Sequence, residues 1–263
     1  MPPAGGCVRT PSRWRSAVIR CCATSHEPHR VTDWLPELLV AILATVIAIT
    51  LHEAAHGYAA LALGDDTAQR AGRLSLNPIR HVDRVGTVIL PGILLITQLL
   101  TIGRVVAMFG WAKPIPVDPW QLRNPRFGMV LVAAAGPAMN FFLAWLSALL
   151  AHVVLALAGS VPMQVVALGV DFVRLSIMAN LLLALFNLLP IPPLDGGRIM
   201  VGLLPRSLSR ALARVERFGL LVVMAMILIL PRLGPQYDVI GWLSGIVTGP
   251  AFRLVLQLAG HPV

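Results

Sequence analysis

The chain has 263 residues, of which 57% are hydrophobic and 13% are charged, and its mean hydropathy of +0.77 predicts an integral membrane protein, not a soluble domain. The net charge of +9 lies mainly between the apolar runs, which favours contact with a lipid bilayer, and no basic surface interleaved with aromatic residues indicates nucleic acid. The three cysteines, Cys7, Cys21 and Cys22, all lie near the start, so they form neither a disulfide framework nor a zinc site for the rest of the chain.

The chain divides into a short tail and one long apolar body. Residues 1–33 contain five arginines, several prolines and no sustained apolar run, so we expect a disordered basic tail. Residues 34–263 should form a single membrane domain. Its first apolar run extends from Leu35 to Leu63, long enough at about 1.5 Å per residue to cross a ~30 Å hydrocarbon core.

The second apolar run, from Val85 to Gly103, is short and is interrupted by Pro91-Gly92. After it, the prolines between Trp111 and Pro119 forbid helix and favour an extended backbone, which could pair with a substrate or form a structural edge. Two long runs around Gly159-Ser160 predict a helical hairpin, and the apolar residues after Phe218 predict one or two more membrane helices. The predicted fold is an all-α polytopic membrane protein with a three-helix core at about 35–63, 128–158 and 162–190.

A possible metal site lies inside the first apolar run, in the sequence His52-Glu53-Ala54-Ala55-His56. Histidines four residues apart share one face of a helix, so one metal ion can take both imidazoles while Glu53 lies beside it. This spacing is typical of zinc hydrolases. The alternative is that both histidines make hydrogen bonds between helices.

Further polar residues lie in apolar runs. Placing a polar side chain inside the membrane costs free energy, so such residues are taken as functional by default. They are Asn140, near the start of the third run, and Asn187 with Asp195, at the end of the fourth. A spanning hairpin would place Asn140 and Asp195 on the same side of the membrane. For His52 to join them, residues 85–127 must return to the side they left, as a re-entrant or hairpin element.

The distribution of basic residues predicts the orientation. Thirteen Lys and Arg residues lie in the three segments on the proposed active-site side, against five in the tail on the other side. The positive-inside rule then predicts an active site towards the cytoplasm and an amino terminus outside, and we expect the membrane to be the plasma membrane. The five arginines of the tail favour the opposite orientation.

Five motifs together resemble the site-2 protease family of intramembrane zinc metalloproteases. They cover most of residues 51–200 and are the His52-Glu53-x-x-His56 core, Leu76-Asn77-Pro78 with His81-x-Asp83, the Gly110-Trp111-Ala112-Lys113-Pro114-x-Pro116-Val117 stretch, Ala135-Gly136-Pro137-x-x-Asn140, and Asn187 to Gly197 with its Pro192-Pro193-Leu194-Asp195-Gly196-Gly197 ending. The chain is similar to the compact prokaryotic subgroup, because it has no room for a PDZ-like or nucleotide-sensing domain.

The resemblance implies a zinc metalloendopeptidase that cleaves within or near transmembrane helices of other membrane proteins. It implies one zinc ion per chain, held by His52, His56 and Asp195, with Glu53 as general base. Asn187 matches the asparagine thought to bind the substrate carbonyl or the developing oxyanion. Asn140 is a further candidate site residue, and the alternative for both asparagines is a hydrogen bond between helices.

Two other functions fit part of the pattern. A metal transporter could use His52, His56 and Asp195 as a transit site, although transport does not need Glu53 between two ligands. The second is a catalytically silent scaffold with a structural metal, and it has no support because none of the expected ligand residues is replaced.

Overall fold

The computed structural model describes residues 31–89, 92–93, 96–97, 100 and 112–262. Contacts divide the chain into two units, Met1–Pro36 and Glu37–Val263. Most of the predicted tail lies outside the described residues, and so does about half of the second apolar run. The regular structure of the described residues is helical, and no β-strand occurs among them.

Ten α-helices are described along the chain. They are α1 Val31–Ala62, α2 Thr67–Arg70, α3 Pro125–Ala156, α4 Met163–Asn187, α5 Asp195–Leu203, α6 Arg206–Val215, α7 Gly219–Leu228, α8 Leu230–Leu233, α9 Val239–Ile246 and α10 Phe252–Leu258. A π-helical segment, Val247–Ala251, joins α9 to α10. Four segments are long and apolar enough to cross a membrane, namely Leu35–Ala62, Pro125–Ala156, Met163–Asn187 and Val239–Leu258. These findings confirm the all-α polytopic fold.

The hairpin of α3 and α4 forms the centre of the described structure. Alanines 144 and 148 of α3 are fully buried against Ile177 and Leu181 of α4, and small residues on one helix let the other approach closely. Helix α3 begins three residues earlier than predicted. The Asn124 side chain accepts a hydrogen bond from the Phe127 N–H and Pro125 occupies the first turn, which is a favourable helix start.

After residue 81 the chain leaves the end of α1, and at residue 113 it returns to the same place. The Lys113 N–H donates to the His81 carbonyl oxygen over 2.9 Å, and the Arg123 N–H donates to the Leu63 carbonyl over 3.1 Å. The chain therefore comes back to the end of α1 before it enters α3. This geometry agrees with the predicted re-entrant or hairpin element, of which the middle lies outside the described residues.

Asp65 fixes the returning chain to the end of α1. Its carboxylate is fully buried and accepts the Thr67 N–H over 2.9 Å and the Asp118 N–H over 2.8 Å. Burial opposes ionisation of this group, but the hydrogen bonds from Thr67 and Asp118, together with the positive charge of Arg70, lower the pKa of Asp65 below its usual value.

The carboxy-terminal helices pack against the other end of the hairpin. His261 Nε2 lies 2.8 Å from the Ala148 carbonyl oxygen, and His152 Nε2 lies 2.8 Å from that of Ala259. The two imidazole rings stack with their centroids 3.9 Å apart. This end of α3 lies beyond the part of the helix that carries Val132, Gly136 and Asn140, and those three residues face the candidate metal centre described next.

Candidate metal centre

Three side chains from two helices converge within the apolar part of the structure. His52 Nε2 lies 3.2 Å from His56 Nε2 and 3.2 Å from Asp195 Oδ2, and His56 Nε2 lies 3.3 Å from the same oxygen. The side chains are only 5% (His52), 12% (His56) and 9% (Asp195) exposed. Three potential ligand atoms therefore form a nearly equilateral triangle with little access to water.

The outer nitrogen of each imidazole is held by a carbonyl oxygen. His52 Nδ1 lies 3.1 Å from Asn140 Oδ1, and His56 Nδ1 lies 2.7 Å from the Val132 backbone oxygen. Because a carbonyl oxygen only accepts, a neutral imidazole in this arrangement, with Asn140 Oδ1 facing His52, carries its proton on Nδ1 and keeps a lone pair on Nε2. An outer partner of this kind fixes the tautomer and the ring orientation of a metal-binding histidine.

The donor set fits a zinc ion. Asp195 Oδ2 is buried and, within the described part of the chain, receives no hydrogen bond. Three lone pairs that face one another at this spacing repel unless a cation lies between them or a histidine gains a proton. Ligands about 2.0–2.1 Å from a tetrahedral zinc lie roughly 3.3–3.4 Å apart, close to the three separations here, and the histidines and aspartate form a group that could hold a metal ion.

Gly136 of α3 provides the space beside the two imidazoles. A Cβ atom at this position would lie 2.4 Å from His56 Nε2 and 2.7 Å from His52 Cε1. Any side chain would therefore collide with both imidazole rings. Val132, Gly136 and Asn140 follow one another at intervals of four residues, so a single face of α3 carries both histidine partners and the gap between them.

Asp195 is the first residue of α5, and glycines allow that helix to start where it does. A Cβ at Gly196 would lie 2.2 Å from the Leu188 carbonyl oxygen, and one at Gly197 would lie 2.3 Å from the Pro192 nitrogen. The far end of α5 is held by Arg126 of α3, whose Nε donates to the Gly202 carbonyl over 2.6 Å. The close packing at both ends fixes the direction in which Asp195 enters the site.

The remaining predicted residues have different surroundings. Asn140 contacts the cluster through His52, as described above. The Nδ2 of Asn187 donates to the Leu183 carbonyl of its own helix over 3.0 Å, which is not a contact with the cluster. His81 Nε2 lies 2.7 Å from the Ser75 carbonyl and so stabilises the loop before it, whereas Asp83 accepts the Val85 and Gly86 N–H groups at the start of the π-helical segment Arg84–Ile89.

Glu53 is partly buried and lies one residue after His52. Its Oε2 accepts a hydrogen bond from the Ile115 backbone N–H at 3.3 Å. Neither this contact nor the Val132 carbonyl was found from the sequence, because backbone groups are the same at every residue. The prolines on both sides of Ile115 were the available signal, since they leave a single N–H in that tripeptide.

A polytopic helical fold with two histidines and an aspartate around a cation-sized gap defines a class of membrane metalloprotein. Comparison with known proteins then identifies the family. Residues 40–230 match peptidase family M50. The chain is 39% identical over 186 residues to "Putative zinc metalloprotease YwhC" of Bacillus subtilis, an alignment that covers 70% of this chain and 78% of the relative.

More distant relatives carry similar names. The chain is 31% identical over 220 residues to "Putative zinc metalloprotease Rip2" of Mycobacterium tuberculosis, covering 82% of this chain and 76% of the relative. It is 28% identical over 214 residues to the Mycolicibacterium smegmatis protein of the same name, covering 81% and 76%. No solved structure matches the chain. The chain belongs to peptidase family M50, the site-2 protease family, and is a zinc metalloendopeptidase.

Proposed function

We propose that this membrane metalloprotease holds one zinc ion through His52 Nε2, His56 Nε2 and Asp195 Oδ2, and that Glu53 is its general base. The observation that supports the proposal most strongly is the triangle formed by these three atoms, which lie 3.2–3.3 Å apart. Three protein ligands leave a fourth tetrahedral position for water or substrate, as catalytic zinc sites require.

The residues of the chain divide the chemistry among them. Zinc supplies Lewis-acid chemistry, which makes a water acidic near neutral pH and polarises a peptide carbonyl. Glu53 accepts the proton of the attacking water and returns it to the leaving amine. Asn140 holds His52 in the tautomer and orientation that ligation needs, so its proposed role is to position a ligand.

Asn187 is the proposed donor to the carbonyl oxygen of the substrate, a role that a single amide can fill. Its Nδ2 donates to Leu183 in the structure. An amide nitrogen carries two N–H groups, so donation of one to Leu183 leaves a second that could bind a substrate carbonyl.

The substrate class follows from the position of the site. His52 and His56 lie six to ten residues before the end of α1, roughly 9–15 Å along the helix axis. A peptide bond at that depth belongs to a transmembrane segment, and its helix must unwind because a helical backbone is already hydrogen-bonded. We propose membrane-protein substrates cleaved within or near a transmembrane helix. We propose the plasma membrane as the location of this protein, and the distribution of basic residues favours a site towards the cytoplasm.

The decisive experiment is Glu53→Gln in purified full-length protein, with bound zinc counted and cleavage of a transmembrane helical reporter measured. We expect zinc to stay at the wild-type amount and cleavage to fall to background. Asp195→Ala is the companion variant and should lose zinc. Full cleavage by Glu53→Gln would exclude the proposed base, and zinc flux into sealed vesicles without any proteolysis by the wild type would favour the transporter.

A further inference from the structure

The segment from Ala112 to Asp118 crosses the end of α1 next to the candidate metal centre. It is extended, without regular secondary structure, and its sequence Lys113-Pro114-Ile115-Pro116 contains two residues that have no N–H. Of the two N–H groups that remain, that of Lys113 donates to His81 and that of Ile115 donates to Glu53. Every N–H from 113 to 116 is therefore used within the protein.

This pattern distinguishes between the two roles considered for the segment, which are pairing with a substrate backbone and forming a structural edge. A strand that pairs with a substrate backbone needs N–H groups as well as carbonyls. Residues 113–116 have no N–H group to offer. The donor that faces the catalytic region binds a side chain of the enzyme itself.

Ile115 is also fixed to α1 by its side chain. It is 8% exposed, and a Cβ atom added at Gly57 would lie 3.1 Å from Ile115 Cδ1. Gly57 is four residues after Glu53, on the same face of α1. The absence of a side chain at Gly57 thus makes the notch in which Ile115 lies, one helical turn from the carboxylate that its N–H reaches.

The ends of the segment are fixed independently of Glu53. Arg73 Nη2 donates to the Lys113 carbonyl over 2.9 Å, and the Asp118 N–H binds the buried Asp65. An N–H held between two such anchors keeps its direction when substrate enters, because neither anchor belongs to the metal cluster.

We propose that Ile115 is a positioning residue for catalysis: its backbone N–H holds Glu53 Oε2 and so sets the orientation of the general base. A carboxylate is planar, so fixing one oxygen limits where the other can point. A glutamate side chain has three rotatable bonds. A hydrogen bond to its charged group restricts rotation about them and so holds the carboxylate in the orientation that proton transfer needs. This inference rests on the proposed role of Glu53.

The test removes the N–H alone. Full-length protein is made with the α-hydroxy analogue of isoleucine at position 115, which replaces the amide with an ester and keeps the side chain. Isoleucine inserted at 115 by the same method is the control for synthesis, and an ester at position 113, which breaks the bond to His81, is the matched control within the segment. The readouts are kcat and KM for the helical reporter, bound zinc and the thermal unfolding midpoint.

For the ester at 115 we expect kcat to fall about 10- to 100-fold, with KM, bound zinc and the unfolding midpoint near those of the control. The ester at 113 should change kcat less than threefold, by the same reasoning.

Three results would overturn the inference: a kcat for the ester at 115 within twofold of the control, an equal loss for both esters, or a loss of zinc from the ester at 115. The first shows that the N–H is not needed, and the other two show that the segment only maintains the structure. Glu53→Gln is assayed in parallel. If Glu53→Gln is inactive while the ester at 115 is fully active, this inference fails and the proposed function stands; if Glu53→Gln is active, the proposed function itself fails.

Discussion

The Lys113 N–H and the His81 carbonyl oxygen are hydrogen-bonded over 2.9 Å, although 32 positions separate the two residues in the chain. This one contact shows that the intervening segment returns to its starting point. As a result α3 enters the fold from the same end at which α1 leaves it. His52 on α1 can therefore meet Asn140 on α3 and Asp195 at the start of α5.

The returning segment predicts a labelling pattern. In a variant in which serine replaces Cys7, Cys21 and Cys22, single cysteines at the exposed positions Gln69 and Lys113 should react with a membrane-impermeant maleimide from the same side. A cysteine at Ser160, in the exposed turn of the hairpin, should react from the opposite side. Labelling of positions 69 and 113 from opposite sides would contradict the contact between Lys113 and His81. The proposed orientation further expects positions 69 and 113 to be accessible in inside-out vesicles.

Gly136→Ala should abolish metal binding. The new Cβ would lie 2.4 Å from His56 Nε2 and 2.7 Å from His52 Cε1, so both imidazoles would have to move out of their present positions in a closely packed interior. Zinc measured per purified chain should fall to background while the protein keeps its helical circular dichroism. Gly245→Ala is the matched control, because a Cβ there meets no atom within 4 Å. Normal zinc content in Gly136→Ala would show that the metal lies elsewhere.

Asn140→Ala should weaken metal binding without abolishing it. The His52 imidazole loses the acceptor that fixes its tautomer, and the loss of an outer partner of this kind typically costs about 10- to 100-fold in metal affinity. The affinity can be measured by competition with a zinc chelator. Asn180→Ala is the control, since Asn180 is equally buried but donates to Ser176 within α4. It should lower thermal stability and leave zinc affinity unchanged; an equal loss of affinity in both variants would assign Asn140 a purely structural role.

Asp65→Asn should lower stability in a pH-dependent way. The pKa of Asp65 is depressed in the folded protein, so its ionisation stabilises the fold above the unfolded-state pKa, near 3.8. That stabilisation is lost as the pH falls through the lower folded-state value. The unfolding midpoint of the wild type should exceed that of Asp65→Asn at pH 6, and the difference should narrow below about pH 4.

This measurement needs a chelator in every sample, because metal affinity depends on pH and a loss of metal at low pH would lower the stability of both proteins. Asp66→Asn is a suitable control, since Asp66 pairs with Arg70 at the surface and exposed pairs contribute about 0–1 kcal/mol. A difference between wild type and Asp65→Asn that stays constant from pH 6 to pH 3 would contradict the assigned role of the Asp65 charge.

Some features could be read from the sequence because they depend on local periodicity. The long apolar runs predicted the spanning helices, and their ends were accurate to within a few residues. The start of α3 was placed at Gly128 instead of Pro125, although the Asn124-Pro125 signal was present. The four-residue spacing of His52 and His56 fixed their common face, since helix geometry is the same in every sequence.

Other features depend on which backbone atoms meet, and no residue type encodes them. Val132 and Ile115 act through a carbonyl oxygen and an N–H, which every residue except proline possesses. The role of Gly136 became clear once the distance from its missing Cβ to His56 was known. Asn187 could be matched to a family motif, but the orientation of its side chain towards Leu183 required coordinates.

By itself, the sequence determined that this chain is a helical membrane protein, that His52, Glu53 and His56 share one stretch of helix, and that residues 85–127 must turn back if Asp195 is to join them. Composition and spacing suffice for these conclusions because they concern single helices and the number of crossings. Tertiary structure alone decided that Asn140 and Val132 fix the two imidazoles, that Gly136 leaves space beside both rings, and that the Ile115 N–H reaches Glu53. These contacts join residues at least 62 positions apart, and such distances are set by the packing of whole helices.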